Sequence, residues 1–346
     1  MLLWMKNLRW RQRLACAALA ALVCAPVWAG RETIQVAGSA TVLPFASIAA
    51  EEFGHAFSRF RTPVVASGGS GGGLRQFCRG VGSNTIDVAN ASRPMRAAER
   101  ENCRRNGVSN IVEVRFGLDA IVFASHRQTP AFALLPEHVF LAAARMVPQD
   151  GALVPNPYQR WSQIDAALPD VEIALLWPAA NHGTRETLEE KVLLPGCAAF
   201  AAMGALDETA RRAACTRLRR DGRVTEIAGD YTETLARLAV QPQALGVFGL
   251  GFFEHNRDRL RVATVNGVAP TREAVATNRY PVARALFFYV KGEHFGLVPG
   301  LREYAAHFLS PELAAPLADA GLTPLDEAAR QRALAALREA TEAQAR

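Results

Sequence analysis

The chain has 346 residues, half of them apolar, and a mean hydropathy of +0.03. This composition is typical of a globular protein, and the length favours two domains. The formal charge of +6 depends on the first 29 residues, which carry four basic and no acidic side chains. The remaining 35 basic and 33 acidic residues leave only +2, which excludes the strongly basic surface of a nucleic-acid-binding protein.

Residues 1–29 have the pattern of a cleavable export signal. Four basic residues come before the apolar segment Leu14–Val23, which is too short to span a bilayer. Val27-Trp28-Ala29 then places small residues where a signal peptidase needs them. We predict a signal peptide over 1–29 and a periplasmic mature chain that begins at Gly30. A membrane anchor is the alternative, although no second apolar span follows.

Four cysteines lie beyond this segment: Cys78, Cys103, Cys197 and Cys215. None of them forms a C-x-x-C pair, so the spacing predicts no metal site. In an exported protein such cysteines can pair. Sequence order favours Cys78–Cys103 and Cys197–Cys215 among three possible connectivities, and four free thiols are the alternative.

The first two predicted strands each end in small residues at the start of a helix. Thr33–Ala37 leads through Gly38-Ser39-Ala40-Thr41 into a helix over about 42–57. Thr62–Ala66 leads into a glycine-rich run, ASGGSGGGLRQF, with a helix predicted to begin near Leu74. Main-chain N–H groups at such a helix start can bind an anion. A simple helix cap or a flexible loop is the alternative at each place.

The third predicted strand, Ile86–Ala89, ends in a similar junction. Ser92 and Arg93 come just before Pro94, which marks a helix start. Because the carboxyl ends of parallel strands meet on one side of a sheet, the three junctions are expected to face one ligand site. A charged surface helix, Ala97–Asn106, follows.

The central part of the chain predicts a second group of elements and a fourth junction. The apolar strand Ile111–Ser125, broken at Gly117, leaves the first domain. Pro148–Pro157 is a loop, and Val171–Trp177 is a buried strand. The turn His182-Gly183-Thr184-Arg185 then begins a helix, although a lone histidine is often only a loop residue. Tyr280–Val290 is a strand that returns to the first domain. The other predicted elements are helices Pro136–Met146, Leu206–Arg220, Glu233–Leu238, Leu301–Leu309, Pro311–Ala320 and Asp326–Ala340, and strand Leu245–Phe253.

Several stretches, in family order, resemble the phosphate-binding protein of bacterial phosphate ABC transporters, the PstS-like family. They are AGSATVLPF (Ala37–Phe45), SGGSGGGLRQF (Ser67–Phe77), IDVANASRPM (Ile86–Met95), GLDAIVFA (Gly117–Ala124), NHGTRETLEE (Asn181–Glu190), YPVARALFFYV (Tyr280–Val290) and, within His307–Leu325, HFLSPE and GLTPL. The resemblance implies a two-domain α/β fold of the type II periplasmic binding class. Each domain has a central, mostly parallel sheet flanked by helices, and two crossing strands join the domains. We predict domain I over 30–120 and 284–346, and domain II over 121–283.

The resemblance also implies a function. The protein would capture inorganic phosphate, or a related tetrahedral oxyanion, in the interdomain cleft and deliver it to the membrane permease of an ABC transporter. It would act as a monomer, without enzymatic activity, cofactor or metal.

When the family's ligand residues are carried over by position, the resemblance implies ligand-binding roles for residues at all four junctions. They are Ser39, Ala40, Thr41, Ser70, Ser92, Arg93, His182, Gly183, Thr184 and Arg185. Because charge-assisted hydrogen bonds are the stronger ones, we expect Arg93 to contribute more than Ser70 or Thr41.

The chain departs from the family pattern just before the last of these junctions. Pro178 and Ala180 stand where the well-studied form of the family has an arginine and an aspartate, and His182 replaces a serine. The missing aspartate would accept the proton of hydrogen phosphate, so the choice between phosphate and another oxyanion stays open. Asp119 is a possible substitute, and a structural role at a strand end is the alternative.

Two other classes of function compete with this interpretation. An exported hydrolase or phosphatase would need a nucleophile beside a base, yet Ser67-Gly68-Gly69-Ser70-Gly71 has no recognisable partner and the seven histidines are scattered. A surface protein that keeps the binding fold without transport is the third class.

Overall fold

The computed structural model describes residues 31–180, 182–228 and 231–343 and shows a mixed α/β chain. The predicted signal peptide lies outside the described residues and stays a prediction. Among the described residues, no helix combines the length and the apolar character needed to cross a membrane.

The strands of the described chain are β1 (Gln35–Gly38), β2 (Val64–Ser67), β3 (Val88–Ala91), β4 (Ile111–His126), β5 (Ala133–Leu134), β6 (Met146–Gln149), β7 (Ala152–Pro155), β8 (Leu175–Pro178), β9 (Val224–Ile227), β10 (Leu245–Gly249), β11 (Leu260–Val262), β12 (Thr264–Val265), β13 (Ala283–Lys291) and β14 (Thr323–Pro324). Ten of them form one sheet in the order β2-β1-β3-β13-β4-β10-β8-β9, with β11 and β14 also paired to β4. Two small sheets pair β12 with β5 and β6 with β7.

Helices cover the sheet and connect its parallel strands. They are α1 (Leu43–Ala56), α2 (Ser70–Phe77), α3 (Ala97–Arg105), α4 (Pro136–Ala143), α5 (Gly183–Leu188), α6 (Leu194–Ala198), α7 (Ala201–Gly204), α8 (Glu208–Thr216), α9 (Tyr231–Val240), α10 (Leu250–His255), α11 (Arg272–Ala276), α12 (Leu301–His307), α13 (Pro311–Asp319) and α14 (Glu327–Ala343). A π-helical turn, Glu189–Leu193, joins α5 to α6. Short 3-10 turns lie at Trp161–Gln163 and Gly292–His294.

Strands β4 and β13 cross the middle of the sheet and place its parallel strands on either side. The amino-terminal part of β4 pairs antiparallel with β13, and its carboxyl-terminal part pairs antiparallel with β10. Strands β1, β2 and β3 are mutually parallel, as are β8, β9 and β10. In this register Arg284 of β13 lies opposite Asp119 of β4, at the crossing point.

The buried side chains divide at these crossing strands. One large cluster packs residues between Leu118 and Ala283, and two others pack residues from 34–116 and 286–337. Apolar burial of this kind is the main favourable term in folding, so each side of the crossing has its own core. The residue boundaries of the two predicted domains nevertheless stay a prediction.

The glycine-rich run folds differently from the expectation of a loop that ends near Leu74. Helix α2 already begins at Ser70, so Gly71, Gly72 and Gly73 belong to the helix. A β-carbon at Gly73 would lie 2.7 Å from the carbonyl oxygen of Ala37, so only glycine lets α2 approach β1 this closely. Close packing of the helix against the strand therefore explains part of the glycine content.

The other differences from the predicted elements are local. The segment expected as a loop over 148–157 contains most of a β-hairpin, β6 with β7. Strand β10 ends at Gly249, and the rest of the apolar run begins α10. Strand β4 continues through Gly117 without a break. Short apolar runs fit strands and helices equally well, which explains why the boundary between β10 and α10 was not predicted.

Two disulfide bonds confirm the pairing favoured by sequence order. Cys78, just after α2, pairs with Cys103 of α3, and Cys197 of α6 pairs with Cys215 of α8. The bonds close loops with sequence separations of 25 and 18 residues. All four cysteines are buried.

We expect reduction of both disulfides to lower the melting temperature of the protein by roughly 5 °C or more. Each bond restricts the unfolded chain, and a loop of this length corresponds to about 3 kcal/mol. Circular dichroism melts with and without a reductant measure the effect, with thiol titration to confirm full reduction. A variant without the four cysteines is the control and should not respond to the reductant. An unchanged melting temperature after complete reduction would contradict the prediction.

Candidate functional site

Residues from three distant parts of the chain meet where the crossing strands lie between the two groups of parallel strands. The hydroxyl of Thr41, in the turn after β1, donates to the carbonyl oxygen of Gly183 at the start of α5, 3.0 Å away. The Nη2 group of Arg284 donates to both Thr41 Oγ1 and the Gly183 carbonyl oxygen, the latter at 3.2 Å. The structure thus brings Thr41 and Gly183 together, as the sequence predicted, and adds Arg284 between them.

Arg284 is a buried cation with unused hydrogen-bond donors. Its side chain is only 3% exposed, and within the described residues neither Nε nor Nη1 has a hydrogen-bond partner. The nearest carboxylate, Asp119, has Oδ2 3.8 Å from Nε, beyond hydrogen-bond distance. Burial lowers the pKa of Arg284 and raises that of Asp119, because both charged groups are removed from water. Buried donors without partners are costly, so this arrangement is typical of a site that receives an anion.

A second cluster joins α2 and the turn after β3 to α5. The hydroxyl groups of Ser70 and Ser92 are 3.0 Å apart, and the Ser92 amide donates to Ser70 Oγ at 3.2 Å. Ser92 Oγ in turn lies 3.5 Å from Glu186 Oε2. Burial raises the pKa of Glu186, and the positive charge of Arg284 opposes this rise. The structure therefore brings Ser70 and Ser92 together beside a carboxyl group that the sequence analysis missed.

The start of α5 is held by an aromatic neighbour. The amide of Thr184 donates to Nδ1 of His182 at 3.3 Å, so the histidine caps the helix. The Thr184 hydroxyl lies 2.5 Å from the Tyr231 hydroxyl, and burial raises the pKa of that phenol well above its ordinary value. Tyr231 therefore stays neutral and fixes the orientation of Thr184. His182 and Thr184, both predicted ligand residues, thus flank Gly183 at the start of α5.

A cavity of about 360 Å³ lies next to this helix start. Ala40, Thr41, His182, Gly183, Thr184 and Asp119 line its polar side, and Phe45 and Phe252 contribute to its apolar wall. Ser39 is buried behind Ala40, where its hydroxyl accepts from the Thr41 amide at 3.2 Å and shapes the turn. We call these two clusters and the adjoining cavity the central site.

Arg93 lies near α2 but is held by a carboxylate. Its two terminal nitrogens donate to the two oxygens of Glu99, at 2.8 and 2.7 Å. This hydrogen-bonded pair raises the pKa of Arg93 and lowers that of Glu99. A β-carbon at Gly71 would lie 3.6 Å from Arg93 Nη2, so the guanidinium group is close to the first turn of α2. The assignment of Arg93 as a ligand stays a prediction, with its charge already balanced by Glu99.

Arg185 lies on the other side of α5. Its guanidinium group donates to Glu189 at 2.8 Å, to Glu226 at 2.7 Å and to the carbonyl oxygen of Pro178 at 3.1 Å. It lines a different cavity, which does not include Thr41 or Gly183. Within the described residues its guanidinium group therefore has no hydrogen bond to another predicted ligand residue, although the Arg185 amide donates to the His182 carbonyl oxygen at 2.9 Å.

Sequence reasoning missed Arg284, Glu186 and Asn90. In the sequence, Arg284 stands directly before the apolar run ALFFYV of the same strand. A charged residue next to such an apolar run is the signal that could have identified it. Asn90 is 1% exposed, and within the described residues neither polar atom of its side chain has a hydrogen-bond partner. Its place at the carboxyl end of β3, hydrogen-bonded through its carbonyl oxygen to the Ser39 amide, adds another unused polar group beside the junctions.

The central site is chemically suited to binding an oxyanion. It offers one buried guanidinium group, several hydroxyl groups and two carboxyl groups whose pKa values are raised by burial. Among the described residues, no group of three or more histidine, cysteine or acidic side chains could hold a metal ion. Because their pKa values are raised, these two acids gain protons at a higher pH than ordinary carboxyl groups, which reduces their repulsion of a bound anion as the pH falls.

We expect sulfate to bind more tightly as the pH falls from about 8 to about 5, by roughly threefold to tenfold. Sulfate keeps its charge over this range, so the change must come from the protein. Asp119 and Glu186 have raised pKa values, so they gain protons at a higher pH than ordinary carboxyl groups do. Their protonation removes negative charge near Arg284. Titration calorimetry at several pH values measures this trend.

Two variants separate the groups that respond to pH. Glu186→Gln should flatten the dependence, because it removes one of the three carboxyl groups, with Asp119 and Glu190, that interact with Arg284. His182→Gln is the control for the imidazole that acts on Asp119, because histidine as a residue type often changes its charge between pH 5 and 8. The groups around Glu186 are Arg284, Arg93 and Glu190. Sulfate affinity that stays constant or falls with decreasing pH would contradict the prediction.

A family model described as a PBP superfamily domain matches residues 25–312 of the chain. Protein SphX of Synechocystis sp. is 27% identical over 308 residues, which cover 86% of this chain and 80% of that protein. The phosphate-binding protein PstS of Staphylococcus aureus is 23% identical over 258 residues, covering 73% of this chain and 66% of that protein.

Solved structures share the same fold. A possible phosphate binding protein from Planctomyces limnophilus superposes with a TM-score of 0.69 at 22% identity, over 89% of this chain and 98% of that chain. These likenesses confirm the fold class predicted from the sequence.

Proposed function

The chain belongs to the PBP superfamily, and on that premise we propose that it is an extracytoplasmic solute-binding protein for inorganic phosphate or a related tetrahedral oxyanion. The names of the relatives support the choice of ligand. One is a phosphate-binding protein, and one similar structure is a possible phosphate binding protein. We further propose that the protein acts as a periplasmic monomer and delivers the anion to the permease of an ABC transporter.

Arg284 is the observation that carries this proposal. Its buried guanidinium group, with two nitrogens free of hydrogen bonds in the described structure, already contacts Thr41 and Gly183. A tetrahedral anion bound beside Arg284 and within reach of Thr41 would supply acceptors for these donors. Each charge-assisted bond of this kind contributes about 1.5–3 kcal/mol. In our proposal Arg284 takes the role of the arginine that Pro178 replaces in the family pattern.

The choice between phosphate and sulfate depends on an acceptor for the proton of hydrogen phosphate. We propose Asp119 for this role, because it faces Arg284 and lines the cavity beside Thr41. An ionised Asp119 would favour hydrogen phosphate, whereas a protonated Asp119 would donate to either anion. Its raised pKa therefore connects selectivity to pH.

Isothermal titration of the mature protein with phosphate, arsenate and sulfate tests the proposal. We expect the bound anion to saturate at one ion per protein, in the central site, and we expect no turnover of p-nitrophenyl phosphate. Turnover would favour the hydrolase alternative, and neither binding nor turnover would favour a protein that keeps only the fold. Asp119→Asn should reduce the preference for phosphate over sulfate.

A further inference from the structure

A second cavity, of about 630 Å³, lies beside β8 and β9 and away from Thr41, Gly183 and Arg284. Five arginines and one acid stand out in its lining: Arg145, Arg185, Arg217, Arg219, Arg220 and Glu226. We call it the arginine cavity. Its volume lies within the range of about 300–1,000 Å³ that is typical of small-molecule sites, and it exceeds the need of a single tetrahedral anion.

The charges in the arginine cavity are only partly balanced. Arg219 is paired with Asp221, and Arg185 is paired with Glu189 and Glu226. By contrast, Arg145, Arg217 and Arg220 are exposed and have no ion pair among the described residues. Three unpaired guanidinium groups in one concave surface create a positive potential that attracts an anion.

The backbone that carries these arginines is firmly held. An isolated β-bridge joins Ala144 to Leu218, and the Arg145 amide donates to the Arg217 carbonyl oxygen at 2.8 Å. The Cys197–Cys215 disulfide lies two residues before Arg217. The buried Arg219 also donates to the Ala142 carbonyl oxygen at 3.3 Å. A fixed backbone keeps the attachment points of these arginines close together, which reduces the entropy that is lost when a ligand binds.

We propose that the arginine cavity is a second anion site, which binds a ligand carrying two or more phosphate groups. Planar guanidinium groups donate pairs of hydrogen bonds that match phosphate oxygens. Three such groups on separate side chains can each contact a different phosphate group of one ligand. A single orthophosphate ion could accept hydrogen bonds from only some of these three guanidinium groups. This inference is independent of the function proposed for the central site.

Titration calorimetry of the mature protein with tripolyphosphate tests the inference. We expect saturable binding that weakens at least tenfold in an R217E/R220E variant. The control is R257E/R261E, which makes the same change in charge at two exposed arginines outside the cavity that have no ion pair in the described part of the chain. The control should reduce affinity by less than about threefold, because exposed charges at a distance are screened by salt. Both variants should melt at the wild-type temperature, since the four side chains are exposed.

An Arg284→Ala variant distinguishes the two sites. Tripolyphosphate binding should persist in this variant even if orthophosphate binding is lost. Binding that disappears in Arg284→Ala and is unchanged in R217E/R220E would overturn the inference. So would an equal loss in R217E/R220E and R257E/R261E.

The phosphate groups could belong to a soluble molecule or to lipid headgroups, and a second arm of the experiment separates the two sources. Cosedimentation with vesicles of phosphatidylglycerol is measured with and without tripolyphosphate. Binding in either arm that requires Arg217 and Arg220 supports the site, and the arm that responds identifies the source. The absence of such binding in both arms would overturn the inference.

Discussion

Arg284→Ala is expected to weaken oxyanion binding by at least about a hundredfold. The substitution removes a buried cation and at least two charge-assisted donors that have no partner within the described residues. Two such bonds contribute about 3–6 kcal/mol together, and a hundredfold loss of affinity corresponds to about 2.8 kcal/mol. Titration calorimetry with phosphate and sulfate measures the effect.

Two variants make this result specific to the guanidinium group. Arg284→Lys keeps the charge and loses the planar fork of donors, so its affinity should lie between those of the wild type and Arg284→Ala. Arg93→Ala should have a smaller effect than Arg284→Ala, because Glu99 already occupies the donors of Arg93. If Arg284→Ala binds like the wild type while Arg93→Ala loses binding, our assignment of the anion site is wrong.

Gly183→Ala is expected to weaken binding by about tenfold to a hundredfold. A β-carbon at this position would lie 2.4 Å from the Thr41 amide nitrogen and 2.7 Å from Thr41 Oγ1. Overpacking of this kind costs about 1–3 kcal/mol. The unliganded chain can relieve the contact by separating the two turns, whereas an anion bound by Thr41 and Arg284 requires both turns to stay close.

The control for this variant is Gly204→Ala in α7, where an added β-carbon would contact nothing within 4 Å. It should leave affinity unchanged, as measured by the same phosphate and sulfate titrations. Thermal melts without ligand should show little change for either variant. Wild-type affinity in Gly183→Ala would show that the turns can separate in the bound state, contrary to our account.

The sequence predicted the local features because each depends on residues that are near one another along the chain. The strand-to-helix junctions at Thr41, Ser92 and Gly183 follow from apolar runs that end in small or capping residues. The disulfide pairs also join cysteines that are neighbours in order along the mature chain. The resemblance to the PstS-like family also implied the two-domain arrangement and the two strands that cross between the domains.

The local sequence could not predict which cation lies in the central site. Arg93 and Arg185 follow the junctions directly in sequence, yet both are already paired: Arg93 with Glu99 of α3, and Arg185 with the nearby Glu189 and with Glu226 of the distant strand β9. Arg284 is 243 residues from Thr41 and reaches it only because β13 pairs with β4 in a register that places it at the crossing. Local sequence determined where hydroxyl groups and helix starts would lie. Which charges are free to bind an anion is decided by tertiary pairing, because an ion pair depends on distance in space and burial, which the order of residues does not specify.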